Sequence, residues 1–411
     1  MATRIVIAGI STRAAAESAA KAGFDVTAID AFADLDQHPS VRAMAIPRPF
    51  SADAAARAAQ TVGAQAAVYL SNFENHPDAV DVLTAGRALW GNAPDVLRRV
   101  RDPACLARAL RDRGIQTAEV QVRLEPDLEP DLEEVRLKPD LEQVRLKPDL
   151  EQVRLKPDST GRDWLVKPLA SGGGHSIRRW THGEAIPAGC YLQELISGTP
   201  GSMVIVAGAR QVVLLGVTRQ LIGDAAFGAT GYHYCGSILV SRGAPDSIVT
   251  GARAAARAVV EAFDLAGVNG VDFVVHQGSI YVIEVNPRWT ASVELAERAY
   301  GLSAFASHAA ACARGALPDF DLTHTVRRGD AVGKAIVFAR NDVTVGDTQK
   351  WIGDDSIRDV PHPGELIHAG RPVCTVFATG SNDEDCYAAL AKRAGRVYSE
   401  LAAGTPSARR K

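Results

Sequence analysis

No stretch of this chain approaches the ~20 consecutive apolar residues that a bilayer-spanning helix needs. The opening MATRIVIAGIS carries a five-residue apolar run, too short for a signal-peptide core. Cysteine is sparse, six in 411 residues, with no CxxC pair and no His/Cys cluster at zinc spacing. That argues against a disulfide framework and against a structural zinc site. Charge of either sign is nearly balanced at −3, so neither a nucleic-acid footprint nor a polyanionic tail is expected. The first apolar run is not followed by GxGxxG, which leaves a dinucleotide site unsupported. These absences point to a soluble, cytoplasmic protein with no nucleic-acid and no membrane partner. What is present is ordinary for a globular chain, 46% hydrophobic and 23% charged.

The chain opens with a βαβ rhythm. An apolar run at Arg4 to Ala8 precedes a helical stretch from Thr12 to Ala22, stopped at Gly23. The strands FDVTAID, ending in Asp30, and QAAVYL follow, so a parallel sheet with flanking helices is expected over 1–95. NAPDVLRRVRDPACLARALRDRG predicts two short helices capped by Asn92 and Asp102, each with an early proline. From Trp164 the pattern turns to strands: WLVKP, SIRRW, YLQELI, SMVIVAG and QVVLLGV. An amphipathic helix spans Ser247 to Phe263. The strands VDFVVH and IYVIEVN are joined at Gln277-Gly278, a tight-turn pair. The end is again β, AVGKAIVFA and PVCTVFA, and closes on a helix from Asp383.

Between the second helix pair and WLVKP lies VRLKPDLEQVRLKPDLEQVRLKPD, residues 135–158. Nine residues rotate a helix by roughly 900°, half a turn out of phase, and an odd repeat flips a strand's face too. Neither element keeps one apolar face through the copies, and three prolines interrupt any long helix. The copies are too few for a solenoid. A solvated loop extension that adds no ligand is expected.

The densest chemistry is GVDFVVHQGSIYVIEVNPRW, residues 270–289. Glu284 and Asn286 are two apart on a strand and share a face. The hairpin partner brings Asp272 within a residue or two of directly opposite. Three hard oxygen ligands on one surface suit Mg²⁺, which completes its shell with phosphate and water oxygens. Arg288 follows, placed to reach an anion held there. In WLVKPLASGGGHSIRRW, Lys167 on a strand precedes Ser171, Gly172, Gly173 and Gly174, a loop whose backbone N–H groups can turn toward phosphate. In YLQELISG the strand end can offer backbone groups to a base edge.

In this order the elements resemble the ATP-grasp superfamily. The resemblance implies an α/β fold: a Rossmann-like pre-ATP-grasp domain (1–95), an ATP-grasp domain (96–318, with a lid at about 160–196 and the repeat inserted at about 122–158) and a small C-terminal β-rich domain (319–411). It implies ATP as cosubstrate with Mg²⁺ or Mn²⁺ on Asp272, Glu284 and Asn286. Lys167 would be the lid lysine, Ser171 to Gly174 the phosphate-covering loop, and Gln193, Glu194 and Ile196 the adenine-contacting hinge. Arg288 would stabilise the reacting phosphate. Three stretches, GISTRAAAESAAKAGFDVTAIDAFADLD, SNFENHP with GNAPDVLRRVRDP, and PxPGxxIxxGxPVCTV, are similar to the predicted ATP-dependent carboligases related to biotin carboxylase. Members of that group are associated with one-carbon carrier cofactors, and a distant relative acts in methylofuran synthesis.

The expected activity is therefore a carboxylate–amine ligase working through an acyl phosphate, with a small carboxylate and an amine as partners and a homodimer as a possible assembly. A biotin-carboxylase-like reaction and a non-catalytic nucleotide-binding regulator are the alternatives. Pro103 stands where many ATP-grasp proteins have lysine, leaving Arg101 or Arg108 to supply the charge. Pro200 stands near a glutamate that commonly holds the ribose. Glu74, His76, Asp30, Asp34 and Asp36, at strand C-ends where open sheets bind ligands, are candidates for acceptor binding or for capping. Ser292 and Glu294, just past Arg288, are better placed to touch substrate. His233 and Cys235 in GATGYHYCGS are too few for a closed zinc site and fit the substrate-facing sheet or its core.

Overall fold

A computed structural model describes residues 2–122, 161–239, 246–322 and 331–404. The repeat and its expected loop lie outside these residues. The first sheet holds β1 (Arg4–Ala8), β2 (Asp25–Asp30), β3 (Arg42–Ala45), β4 (Ala66–Tyr69) and β5 (Ala88–Leu89) in the order β3-β2-β1-β4-β5, all parallel. Helices α1 (Arg13–Lys21), α2 (Ala52–Ala59) and α3 (Pro77–Thr84) connect them. The order reverses between β1 and β4, so the crevice at their carboxyl ends is lined by the loops 9–12 and 71–76.

Two short helices follow, α4 (Pro94–Val100) and α5 (Pro103–Arg111). Asp102 caps α5 by accepting from the Cys105 amide at 2.8 Å. The expectation for Asn92 fails. Ala93 is the N-cap of α4, and Asn92 is instead a buried brace, donating to Asn269 Oδ1 (2.7 Å) and the Pro287 carbonyl (2.9 Å). A buried amide with long-range partners is worth more there than at an exposed cap.

A second, four-stranded sheet is ordered β6-β9-β7-β8, from β6 (Val120–Val122), β7 (Trp164–Pro168), β8 (Arg178–Arg179) and β9 (Cys190–Glu194). The strand expected over SIRRW shrinks to its two arginines.

The third sheet has eight strands, ordered β14-β13-β10-β11-β12-β15-β19-β17. Its members are β10 (Thr199–Gly208), β11 (Gln211–Ile222), β12 (Tyr234–Leu239), β13 (Gly267–His276), β14 (Ser279–Asn286), β15 (Ala331–Phe338), β17 (Ile357–Arg358) and β19 (Pro372–Gly380), with a small pair β16 (Val343–Thr344) and β18 (Leu366–Ile367) beside it. The C-terminal strands thus continue the central sheet.

Strand β10 reads as an unbroken apolar run because both its faces are covered. Met203, Ile205 and Ala207 pack with α4, α5 and α6 (Asp246–Phe263), while Val204 and Val206 pack with β1, β4 and α8 (Ala304–Arg314). Each fully buried aliphatic of this kind contributes about 1.5–3 kcal/mol. A further core joins β12, β15 and β19 to α9 (Asp383–Gly404). Among the described residues no helix is long and apolar enough to cross a membrane.

Candidate active site

The β13–β14 hairpin turns on Gln277 (φ 48°) and Gly278 (φ 78°), both left-handed, as a two-residue turn of matching twist requires. The turn sets the register as far as Phe273, which pairs with Val282; a bulge between Phe273 and Asp272 then shifts it by one residue and places Asp272 directly opposite Glu284. Asn286 bridges them: its Nδ2 donates to Asp272 Oδ2 at 2.9 Å and to Glu284 Oε1 at 3.4 Å. Gln220, reaching from β11, donates to Asp272 Oδ1 at 2.9 Å. Burial, then repulsion from Glu284, pushes the Asp272 carboxyl up to about 7. Glu284 goes the other way. Burial opposes its charge, but Lys167, Arg101 and Arg288 outweigh that and lower its pKa.

Lys167 arrives from β7, 4% exposed. Its Nζ donates to Gln193 Oε1 at 3.0 Å and lies 3.6 Å from Glu284 Oε2. Gln193 in turn donates to the Ile283 carbonyl at 3.0 Å, so it braces the lysine against the hairpin. Glu194 pairs with Arg162 (3.2 Å) at the strand's end, and Ile196 follows, half-buried.

The loop from Ser171 to Gly174 lies over this corner. Gly173 (φ 64°) and Gly174 (φ 77°) are left-handed, and the Gly173 carbonyl accepts from the Tyr234 amide at 3.0 Å. A Cβ on Gly174 would lie 1.8 Å from the Tyr232 carbonyl oxygen. The His175 and His233 rings meet at a tilt of 53° with centroids 4.5 Å apart, while Cys235 is buried in the core.

Arg288 points at the first sheet. Its Nε donates to Glu74 Oε1 at 2.7 Å and its Nη2 to Asn286 Oδ1 at 3.2 Å. Arg101 is the third cation, donating to the carbonyls of Val285 and Ser171 (both 3.1 Å) and to Asn75 Oδ1 (3.3 Å). Of the two arginines that could stand in for a lysine at Pro103, Arg101 faces this corner and Arg108 is exposed. A narrow groove opens beside Arg101, walled by Pro103, Leu106, Leu169, Tyr191 and Ile283, with Arg101 and Glu284 its charged residues.

Eight buried side-chain nitrogen or oxygen atoms among the described residues lack a hydrogen-bond partner. Four belong to residues of this corner or next to them in the chain: Asn72 Oδ1, Glu74 Oε2, Arg101 Nε and Trp289 Nε1. Unmade buried bonds cost about 1–3 kcal/mol each, so their concentration here marks a place built for something besides stability.

Other sequence candidates lie elsewhere. Asp30 accepts from Thr12 and the amides of Phe32 and Ala33, a capping role. Asp36 accepts the amides of Asp359 and Val360. Glu294 is buried between Arg13 (3.0 Å) and Lys334 (2.8 Å), and Ser292 joins a hydroxyl cluster with Ser202 and Ser237. His76 is exposed. Gln220 and Asn75 had no sequence signal, because each acts across elements far apart in the chain.

A four-stranded sheet with a glycine loop, set over an acidic hairpin of a larger sheet, defines an ATP-grasp fold. Residues 140–292 match the family model described as an ATP-grasp domain. The chain is similar in structure to Rhizobium etli pyruvate carboxylase, with TM-score 0.68 and 15% identity over 98% of this chain and 38% of that one. It is also similar to the L-amino acid ligase of Bacillus licheniformis, with TM-score 0.63 and 14% identity over 96% and 97%. A segment of 120 residues is 27% identical to an uncharacterized protein of Methanocaldococcus jannaschii, spanning 29% of this chain and 28% of that relative.

Proposed function

We propose that the protein is an ATP- and Mg²⁺-dependent carboxylate–amine ligase that works through an acyl phosphate. The observation that carries this reading is the opposition of Asp272 and Glu284 across one hairpin, with Lys167 3.6 Å from Glu284. Two facing carboxylates suit a hard cation that keeps sites for phosphate and water, and Asn286 would join them by turning its Oδ1, now held by Arg288, toward the pair. Burial, and then the charge of Glu284, raise the Asp272 carboxyl, and a bound cation would relieve both. Bound there, Mg²⁺ would neutralise charge on the phosphate oxygens of ATP.

The remaining roles fall to the chain itself. We place the adenine base in the groove beside Tyr191, against the side chains of Leu106, Leu169 and Ile283. Lys167, Arg101 and Arg288 offset charge spreading over the phosphoryl group as a substrate carboxylate attacks it. The glycine loop covers the site and keeps water from the acyl phosphate. The likeness to an L-amino acid ligase over nearly the full length of both chains supports a small carboxylic or amino acid as substrate. The sequence resemblance supports a setting in one-carbon cofactor synthesis of the methylofuran type.

Pyruvate carboxylase likeness favours a second reading, carboxylation through carboxyphosphate. This chain has no Met-Lys biotin-attachment pair, so that reading needs a separate carrier. ADP release measured with amino acids and amines, and separately with bicarbonate, tells the two apart. Glu284→Ala is expected to cut ADP formation at least 100-fold, in the range of a lost transition-state contact, and to abolish Mg²⁺-induced thermal stabilisation. ADP formation at the wild-type rate in that variant overturns the assignment.

A further inference from the structure

We propose that Asn72 and Glu74 form the subsite for the acceptor amine, that the amine arrives as a protonated primary ammonium, and that Glu74 takes its proton. The inference deepens the ligase reading and rests on it. Both residues belong to the loop after β4, around a short 3₁₀ turn at Phe73–Asn75. The turn touches both halves of the site. Asn75 contacts the glycine loop at the Ser171 carbonyl and also receives Arg101, while Glu74 holds Arg288.

Glu74 is 1% exposed, yet only one of its oxygens is engaged. Oε1 accepts from Arg288 Nε at 2.7 Å, and Oε2 is buried without a partner. Asn72 Oδ1 is in the same condition, and the asparagine side chain makes no capping bond to the turn it precedes. Two buried acceptors of one loop, with nothing donating to them, call for a group rich in N–H. An ammonium supplies three donors and a positive charge. A carboxylate or phosphate would meet the Glu74 carboxylate and be repelled. The loop therefore selects the amine, not the acid.

Its chemistry follows from its contact with Arg288. The ammonium passes one proton to Glu74 Oε2 and becomes a free amine. The nitrogen lone pair attacks the carbonyl carbon of the acyl phosphate, forming the C–N bond. The carbon–oxygen bond to phosphorus breaks, its electron pair leaves with phosphate, and a second N–H proton goes to that phosphate. Glu74 then returns its proton to solvent.

The test compares wild type, Glu74→Gln, which can still accept from Arg288, and Asn72→Ala. Hydroxylamine, neutral near pH 7, traps the acyl phosphate as a hydroxamate without needing a base. Glu74→Gln is expected to lower the ratio of amide to hydroxamate about 100-fold at pH 7. The ratio should recover as pH rises toward the amine's own pKa. Asn72→Ala is expected to raise the amine KM about tenfold, the effect of ~1.4 kcal/mol. Equal loss of amide and hydroxamate in Glu74→Gln, with no pH recovery, overturns the proposal and leaves Glu74 a positioning residue for Arg288.

Calorimetric titration with ethylamine, 1,4-diaminobutane and lysine, in the presence of a non-hydrolysable ATP analogue, separates this proposal from the ligase reading. If no carboxylate yields hydroxamate, the ligase reading fails, while amine binding that both variants lose upholds the subsite. Hydroxamate formation with amine binding absent from wild type, or unchanged in both variants, overturns the subsite and leaves the ligase reading standing.

Discussion

Asp272 and Glu284 differ by one methylene, share one environment, and are driven in opposite directions by it. Lys167 and Arg101 are the leading cations acting on Glu284, so Asp272 takes up the burden of burial and like charge. Its folded pKa, near 7, stands above the ~3.9 of a free aspartate. The stability associated with this group is therefore complete below about pH 4 and is lost as pH rises through about 7. A bound cation needs the ionised form, so Mg²⁺ affinity should move in the other sense. It is expected to weaken by up to about tenfold per pH unit below 7 and to level off above it. Mg²⁺-dependent shifts in melting temperature from pH 5.5 to 8.5 check this, and Asp272→Asn should remove the pH dependence. Strand alternation and a two-residue turn, both local rules, make the acidic pair legible in the sequence to within a residue or two; the direct opposition comes from a bulge beside Asp272 that those rules do not supply. Gln220 was not legible, since its approach to Asp272 depends on strands that lie apart in the chain.

The glycine loop shows the same limit one level up. Three consecutive glycines announce a backbone free to adopt left-handed angles, and two of them do so. Nothing in that run says where the loop rests. It docks on Tyr232 to Tyr234, in the stretch expected to be substrate-facing sheet or core, and the close approach of Gly174 to the Tyr232 carbonyl admits no side chain. Gly174→Ala would place a non-glycine residue in a left-handed conformation, a cost of roughly 1–2 kcal/mol, and drive its methyl group into that carbonyl. The closed contact should be lost while the core, which the loop does not join, is spared. The expected result is at least a tenfold fall in kcat with the melting temperature within a few degrees of wild type. A variant with unchanged kcat would show that docking of this loop plays no part in turnover. The hinge strand offers a parallel lesson. The sequence places Gln193 in a hinge that offers backbone groups to a base and says nothing of its side chain, which is turned inward and committed to Lys167 and the Ile283 carbonyl.

The three sheets act together only if they are held together, and a buried charge cluster remote in sequence does part of that holding. Arg13, fully buried on α1 of the first sheet's layer, meets Asp359 at 2.7 Å near the C-terminal strands and Glu294 at 3.0 Å on the helix that follows Arg288, α7 (Val293–Tyr300). Lys334 on β15 closes the ring on Glu294 at 2.8 Å. Burial opposes the charge of both acids, but Arg13 leads the cations that outweigh it, holding Glu294 well below the usual carboxylate range and lowering Asp359 as well. Sequence reasoning assigned Glu294 and Asp36 to substrate or capping because their partners lie hundreds of residues away, where no spacing rule reaches. Arg13→Met keeps the bulk but takes the arginine from buried Glu294, which retains Lys334, and from part-buried Asp359, so it should cost about 3 kcal/mol at pH 7. Because those acids have depressed pKa values, the stabilisation is present above about pH 4 and disappears as pH falls through their folded values. The penalty of Arg13→Met should therefore be largest near neutrality and shrink under strong acid, as urea unfolding at pH 7 and at pH 3 would show. A cost below about 1 kcal/mol at pH 7, the worth of an exposed pair, would mean that apolar packing alone joins these layers. A large cost that vanishes in acid would identify the cluster as the electrostatic joint that keeps Glu74 of one sheet in register with Arg288 of another.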